Sequence, residues 1–391
     1  MTAPSRRAGP VLSAPPRRFF RPTWAEVDLG ALASNLRRLR ARVGPRVKTM
    51  LVVKGNAYGH GAVATARAVQ ESRAAQWLGV SSVEEGIALR EAGIRLPILV
   101  LGSLYPFESF LAAVEYGLTP TVASLEGAQR LREAAARVGR TVACHLKLDT
   151  GMGRIGMGWP SGLRVVEALS RGDGAALGGV YTHFAKAESD PETTRLQLER
   201  FEAALGDIAR AGIRVPLRHA ANSAGALKHP AARLDMIRPG LAAYGLFAQA
   251  GPGFRTVLSL KTKVVFIKNV RAGTPVSYGG TFKTRRASRI ATLPVGYADG
   301  YPRALSNKAA VLIGGRRCPV VGTITMDMMM VDATALPEAH VGDEAVLIGS
   351  QGRETVGAAE LASLCGTIPY EIVTGLSSRV PRVLLQPGRG A

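Results

Sequence analysis

Cysteine is scarce in this chain. Cys144, Cys318 and Cys365 are the only three among 391 residues, and they lie far apart. An odd number with no CxxC pair argues against a disulfide framework or a structural zinc and for a reducing, cytoplasmic location. No stretch approaches the roughly 18 apolar residues that a membrane-spanning helix needs. The six histidines show neither HxH nor HExxH spacing, so no metal centre is expected. GxxxxGK[ST] is missing, which excludes a P-loop. Acid is also in short supply, with 29 Asp and Glu against 50 Lys and Arg, a net charge of +21. The basic residues are scattered and form no stripe interleaved with aromatics, so no nucleic-acid partner is expected. The charge should instead draw anionic ligands toward a cleft. Residues 1–22 hold no acid at all, but five Pro and five Arg. Without the apolar centre of a secretory signal they read as a disordered leader, with an organelle transit peptide as the alternative.

What is present points to a large folded core. Apolar residues make up 47% and charged residues 20% of a chain long enough for two domains. Residues 25–29 alternate like a strand, and Ala31 to Val43 has the three-and-four apolar spacing of an amphipathic helix. Short apolar runs then recur, each leading into a turn and mostly a helical pattern: 50–54, 77–81, 98–101, 118–122, 142–148, 177–183, 217–220 and 236–238. Helical stretches such as 82–92, 125–138 and 193–211 lie between them. Eight such units predict a parallel (β/α)8 barrel of the TIM type over residues 23–253, with a doubly wound sheet as runner-up. Residues 254–391 read as a second, mostly β domain of short strands separated by Gly, Asp and Asn turns, with a helix near 356–365 and a last strand near 379–385.

A barrel gathers its functional residues where strands end, on one rim. Lys54 ends the first run, Lys147 and Arg154 sit at and after the fifth, and His183 ends the sixth. Asn222 and Ser223 follow the seventh, and Arg238 ends the eighth, ahead of Gly240 and Leu241. A lysine closing a buried strand is poor for packing and useful for chemistry. In the string Val52-Val53-Lys54-Gly55-Asn56-Ala57-Tyr58-Gly59-His60-Gly61 it reads as an amine that holds a carbonyl cofactor as a Schiff base, with a phosphate-binding or snorkelling lysine as the plainer reading.

That string closely resembles the cofactor-lysine motif of the alanine racemases. The likeness continues through Lys147–Arg154, Tyr181–Phe184, His219–Ser223, Ile237–Gly240, Ser277–Phe282, Gly296–Gly300, Met326-Asp327 and Ile368–Glu371. It implies a racemase of the pyridoxal 5'-phosphate type that interconverts L- and D-alanine and supplies D-alanine for peptidoglycan. A broad-specificity racemase for Lys, Arg or Ser is the alternative. The resemblance assigns the two opposing bases to Lys54 and Tyr278. It gives His183 and Arg238 to a hydrogen-bonded line with the tyrosine, and Arg238 also to the pyridine nitrogen. Tyr58, Asn222, Ser223, Gly240, Leu241 and Tyr370 are implied as further cofactor contacts. Arg154 and Met326 are implied to hold substrate, Tyr297 and Tyr370 to gate the entrance, and Lys147 to be open to carbamylation. It also implies a homodimer with shared active sites. Two positions depart from the family pattern: Gly55 replaces the usual alanine, expected to loosen the turn, and Thr325 replaces a frequent cysteine.

Overall fold

The computed structural model describes residues 19–385 apart from 160, 172 and 173. Residues 1–18 of the expected leader therefore lie outside the described residues. The leader as read ran to residue 22, but Arg21 and Pro22 belong to the folded body. Arg21 grips the buried Asp299 carboxylate through two bonds of 2.5 and 2.8 Å, and the Pro22 carbonyl accepts from Lys263 N.

Eight parallel strands form the barrel sheet, in spatial order Arg218–His219, Ala175–Tyr181, Val142–Lys147, Thr119–Val122, Ile98–Val100, Trp77–Val80, Lys48–Val52 and Met236–Ile237. The two end strands are brought together by backbone bonds from Asp235 N to Arg218 O (3.1 Å) and from Arg238 N to Ala221 O (2.9 Å). The Arg218 guanidinium reinforces that seam with a paired contact to the Asp235 carboxylate. Ile98–Val100 is buried at every residue, as befits a strand covered on both faces. Side-chain oxygens satisfy orphan N–H groups at the helix starts. Ser82, Ser124 and Asp190 cap the helices Val83–Glu91, Leu125–Val138 and Pro191–Arg210.

One strand is in a different place from its sequence neighbours. Thr23–Asp28, grouped with the barrel by position, pairs antiparallel with Leu258–Lys263 and parallel with Arg382–Leu385 in the seven-stranded sheet of the β domain. Its alternating burial fits a sheet with one covered face, not a barrel stave. The helix that follows, Leu29–Val43, crosses back. It buries Leu29, Leu32, Leu36, Leu39 and Val43 at spacings of three and four and packs beside the helices Ala62–Ser72 and Ser223–Lys228. The run expected over 257–269 is two strands in separate sheets, Leu258–Lys263 and Phe266–Val270. The latter joins Ser288–Leu293 and Met329–Asp332. A small hairpin, Pro275–Val276 with Phe282–Lys283, carries Tyr278 in its turn. A short helix not foreseen from the sequence, Pro369–Thr374, brings Tyr370 against the barrel rim.

Candidate active site

The barrel rim opens on a cavity of about 520 Å³. Lys54, Lys147, Arg154 and Arg238 are the basic groups that line it, and His183, Tyr58, Asn222, Ser223, Gly240 and Tyr370 line it beside them. Residues from five different strand ends thus converge on one space, as the barrel topology requires.

Lys54 follows the strand Lys48–Val52 after one residue. The turn it starts is unusual: Gly55, Asn56, Ala57 and Tyr58 have φ of 60°, 53°, 55° and 53°, a left-handed stretch. For the three non-glycine residues this costs about 1–2 kcal/mol each. The strain is met by specific contacts. Asn56 Oδ1 accepts from Ala62 N (2.8 Å), and His60 Nδ1 lies 2.8 Å from the carbonyls of Ala57 and Tyr58. Gly55 sits inside the stretch, where a missing Cβ relieves strain. It eases the turn's geometry and does not loosen it. Burial lowers the Lys54 amine from its ordinary pKa, with Arg154 acting in the same sense and Glu85 opposing.

Arg238 is buried and has no carboxylate within ion-pair distance among the described residues. Its guanidinium donates to His219 Nδ1 (2.8 Å), to the carbonyls of Thr182 and Ala220 (2.7 and 3.0 Å) and, more weakly, to His183 Nδ1 (3.3 Å). Burial brings its pKa down to about 10, so it stays charged near neutrality. Because an arginine only donates, His219 Nδ1 must be bare. Its Nε2–H then donates to His145 Nδ1 at 2.9 Å. Burial, followed by Arg238, holds both imidazoles far below their usual pKa, His145 at about 3. His145 and His219 are thus neutral links behind a cation. His183 is likewise held well below its ordinary value by burial and then Arg238.

Lys147 is buried, with its Nζ over the Tyr181 ring at 5.6 Å and no acid within ion-pair distance among the described residues. Burial, Arg154 and Arg238 push its amine down to about 8 against a weaker pull from Asp149. At the opposite end, the Ser223 hydroxyl accepts the N–H groups of Gly240 (3.1 Å) and Ala242 (3.2 Å). Tyr58 packs on Tyr244 and Tyr370 with ring centroids at 5.1 and 5.5 Å. A Cβ on Gly240 would stand 2.5 Å from the Tyr58 hydroxyl, so only glycine fits there. Burial raises the Tyr58 phenol above its ordinary value and pushes Tyr370 up to about 12, so both remain hydroxyl donors. Leu241 is buried behind this cluster and does not line the cavity. Asn222 spends its side-chain oxygen on Gly225 N (2.9 Å), capping the helix Ser223–Lys228.

This inventory suits a phosphorylated pyridine aldehyde. An amine of lowered pKa stands at one end, a permanent cation without an acid lies between, and hydroxyls with backbone N–H groups crowd the other end. Sequence reasoning missed Ser81, Leu101 and Tyr181 in the lining. Tyr181 lies nearly parallel to His219, and its hydroxyl bonds Thr121 at 2.8 Å. The signal for it was position alone, two residues before His183 in a run that ends at the rim.

Three expected site residues are elsewhere. Tyr278, Tyr297 and Met326 are 75%, 44% and 52% exposed on the β domain and do not line this chain's cavity. They sit on linked loops. Tyr297 N and Ala298 N donate to the carbonyls of Thr325 and Met326, and Thr323 Oγ1 donates to the carbonyl of Tyr278. Asp299 and Asp327 are structural in these loops. Asp299 is fully buried and accepts from Arg21 and Gly296 N, while Asp327 accepts from Arg379. Thr325 turns its hydroxyl onto the Met328 carbonyl.

Comparison with known proteins agrees along nearly the whole chain. Residues 27–248 match the family model "Alanine racemase, N-terminal domain", and residues 257–384 match "Alanine racemase, C-terminal domain". An alanine racemase from Symbiobacterium thermophilum is 52% identical over 368 residues, 93% of this chain and 97% of the relative. One from Halothermothrix orenii is 43% identical over 94% of this chain and 97% of its own. The solved alanine racemase from Bacillus anthracis with bound L-Ala-P superimposes with a TM-score of 0.88 at 38% identity, covering 95% of this chain and 97% of that one. These names do not favour the broad-specificity alternative. The chain belongs to the alanine racemase family of pyridoxal-phosphate-dependent isomerases.

Proposed function

We propose that this protein interconverts L- and D-alanine by a two-base mechanism and acts as a homodimer whose two active sites are each completed by the partner. The observation that carries the reading is the cavity itself. It joins an amine of lowered pKa, Lys54, to a buried arginine without an acid, and both to the hydroxyl and N–H cluster at Ser223, Gly240 and Tyr58.

When bound, pyridoxal phosphate supplies the electron sink that makes the α-proton of an amino acid removable. Lys54 would hold the aldehyde between turnovers and take or return the proton on one face. Its lowered pKa leaves more of the amine unprotonated, as a base requires. Tyr58, Ser223, Gly240 and Tyr370 would hold the phosphate. Arg238 would donate to the pyridine nitrogen. A guanidinium keeps its protons, so that nitrogen stays unprotonated, which restrains the side reactions that a stronger sink permits. Arg154 would grip the substrate carboxylate in a charge-assisted pair.

Tyr278 is the base for the other face. Its high exposure and its absence from the lining of its own chain's cavity support a role in the partner's site, and the same holds for Tyr297 at the entrance and Met326 at the substrate. His183 and Arg238 would complete the line that makes a phenol a usable base near neutral pH. Lys147, buried without an acid and with its amine at about 8, suits reaction with carbon dioxide. The carbamate formed would give Arg154 a carboxylate partner, which it has none of among the described residues. D-Alanine made in the cytoplasm would feed peptidoglycan synthesis.

Solvent deuterium tests the reading. Incubation in D2O should place deuterium at Cα starting from either enantiomer, with a visible chromophore that borohydride removes. Exchange from one enantiomer alone would overturn the two-base reading, and the absence of a reducible chromophore would overturn the role of Lys54.

A further inference from the structure

Glu85 lies on the helix Val83–Glu91 and is not among the cavity-lining residues. Its sequence setting, Ser82-Val83-Glu84-Glu85, is that of a capping box, in which the third residue of the helix returns its carboxylate to the backbone N–H of the cap residue. Half of that box is present: Glu85 N donates to the Ser82 hydroxyl, at a long 3.4 Å. The carboxylate does something else. Its Oε2 accepts from Ser81 N (2.7 Å) and Ser81 Oγ (2.8 Å), one residue before the cap. Its Oε1 crosses to the neighbouring rim loop and accepts from Gly55 N at 2.7 Å.

Gly55 is the residue after Lys54 and the first of the left-handed stretch. Its N–H is therefore the point at which the strand's extended backbone passes into the strained turn. The rest of the turn is held from within or from its far side, by Asn56 and His60. At its leading end the Val53 N–H donates to the Gly79 carbonyl (2.8 Å), and Glu85 adds the side-chain tie to a neighbouring barrel unit, through a carboxylate, which makes shorter and stronger bonds than a neutral acceptor. The other charged groups that line the cavity with Lys54 are cationic: Arg154, Lys147 and Arg238.

We infer that Glu85 is a positioning residue for Lys54, a carboxylate strut that fixes the backbone on which the lysine stands and sets a negative charge against the residue next to it. The inference rests on the reading of Lys54 as the cofactor amine, and it adds a group outside the cavity that sets where that amine stands and how readily it protonates.

Two substitutions in the full-length enzyme with cofactor bound test it. Glu85→Gln keeps the shape and removes the charge, and Glu85→Ala removes the strut. Amide hydrogen exchange should accelerate at Gly55 and Ser81 by roughly tenfold or more in Glu85→Ala, the fold-change a lost charge-assisted bond implies. Exchange at Gly225, capped by Asn222 on the far rim, should not change. The acidic limb of the kcat profile should move to lower pH in both variants, because the charge that favours protonated Lys54 is gone while Arg154 and Lys147 remain. A purely structural glutamate would leave that limb in place. Unchanged exchange at Gly55 together with an unmoved limb in folded Glu85→Ala would overturn the inference. If that variant does not fold, an unmoved limb in Glu85→Gln does so. A Lys54→Ala protein that kept its reducible chromophore would sink the reading of Lys54 instead, and the exchange result at Gly55 would stand apart from it.

Discussion

The two halves of the proposed site differ in how finished they are. On the barrel rim every group is set in a dense frame: Lys54 on a braced turn, Arg238 in four hydrogen bonds, Lys147 buried against Tyr181. On the β domain, Tyr278 stands 75% exposed in a hairpin turn, beside loops that present Tyr297 and Met326 to solvent. The rim half carries perturbed amines and imidazoles because desolvation acts there. The β half has shape and a fixed backbone, and a desolvated setting for its phenol has to come from outside its own chain. The contrast is what the proposed dimer explains: a partner's cavity would bring Tyr278 beside the cations that an exposed turn does not offer.

The strongest way to break this contrast is to inactivate each half separately. Lys54→Ala and Tyr278→Phe should each lower kcat by about a thousandfold or more, the scale of a lost general base. Mixing the two inactive proteins under conditions of subunit exchange should restore part of the activity, because some dimers then carry one intact site. No recovery despite demonstrated exchange would confine both bases to one chain.

A smaller effect tests whether the β half is as firmly built as the rim. Asp299 is fully buried and anchors the loop carrying Tyr297 through Arg21. Arg21→Ala should lower the free energy of unfolding in urea by roughly 3 kcal/mol, since a buried carboxylate loses its main partner. Arg317→Ala, which breaks contacts with the more exposed Glu354 and Glu360, should cost about 1 kcal/mol or less. Equal costs would mean that the loop is not anchored as described.

On the rim, Gly55→Ala should destabilise by about 1–2 kcal/mol, read from the same urea transition. The cost is the left-handed φ of 60° and not a clash, since the nearest atom to an added Cβ is Thr374 Cγ2 at 3.6 Å. A pH titration tests the setting of Lys147. Its folded amine is at about 8, below the ordinary 10.5, so the unfolded chain binds the extra proton between those values. Stability should therefore rise as pH climbs through that window, and Lys147→Met should flatten the rise in bicarbonate-free buffer. A 13C signal from labelled bicarbonate on the wild-type protein, lost in Lys147→Met, would report the carbamate.

Much of the rim was legible in the sequence for a simple reason. Parallel strands covered on both faces are continuous apolar runs, and a polar residue that ends one is conspicuous, as Lys54, Lys147 and Arg238 are. The first strand was misplaced although its own pattern carried the signal: residues 23–28 alternate, while the barrel strands do not. The helix Pro369–Thr374 is too short to show a period. The left-handed turn after Lys54 has no signal beyond its glycines, since nothing in the letters of Asn56 and Ala57 demands a positive φ. The bridge from Glu85 to Gly55 spans 30 residues and depends on two loops meeting at the rim, which no local pattern encodes. That Tyr278 serves a partner's cavity came only with the resemblance, since a tyrosine beside two glycines carries no local sign of its exposure.

The strand Thr23–Asp28 has a consequence for the order in which the molecule is assembled. It is the first strand among the described residues, and its parallel neighbour, Arg382–Leu385, is the last. The barrel between them has all its own strands by Ile237 and can close while the β sheet still waits for its final member. Pairing on that side of Thr23–Asp28 thus closes a contact across more than 350 residues of chain, the kind of long-range pairing that forms slowly.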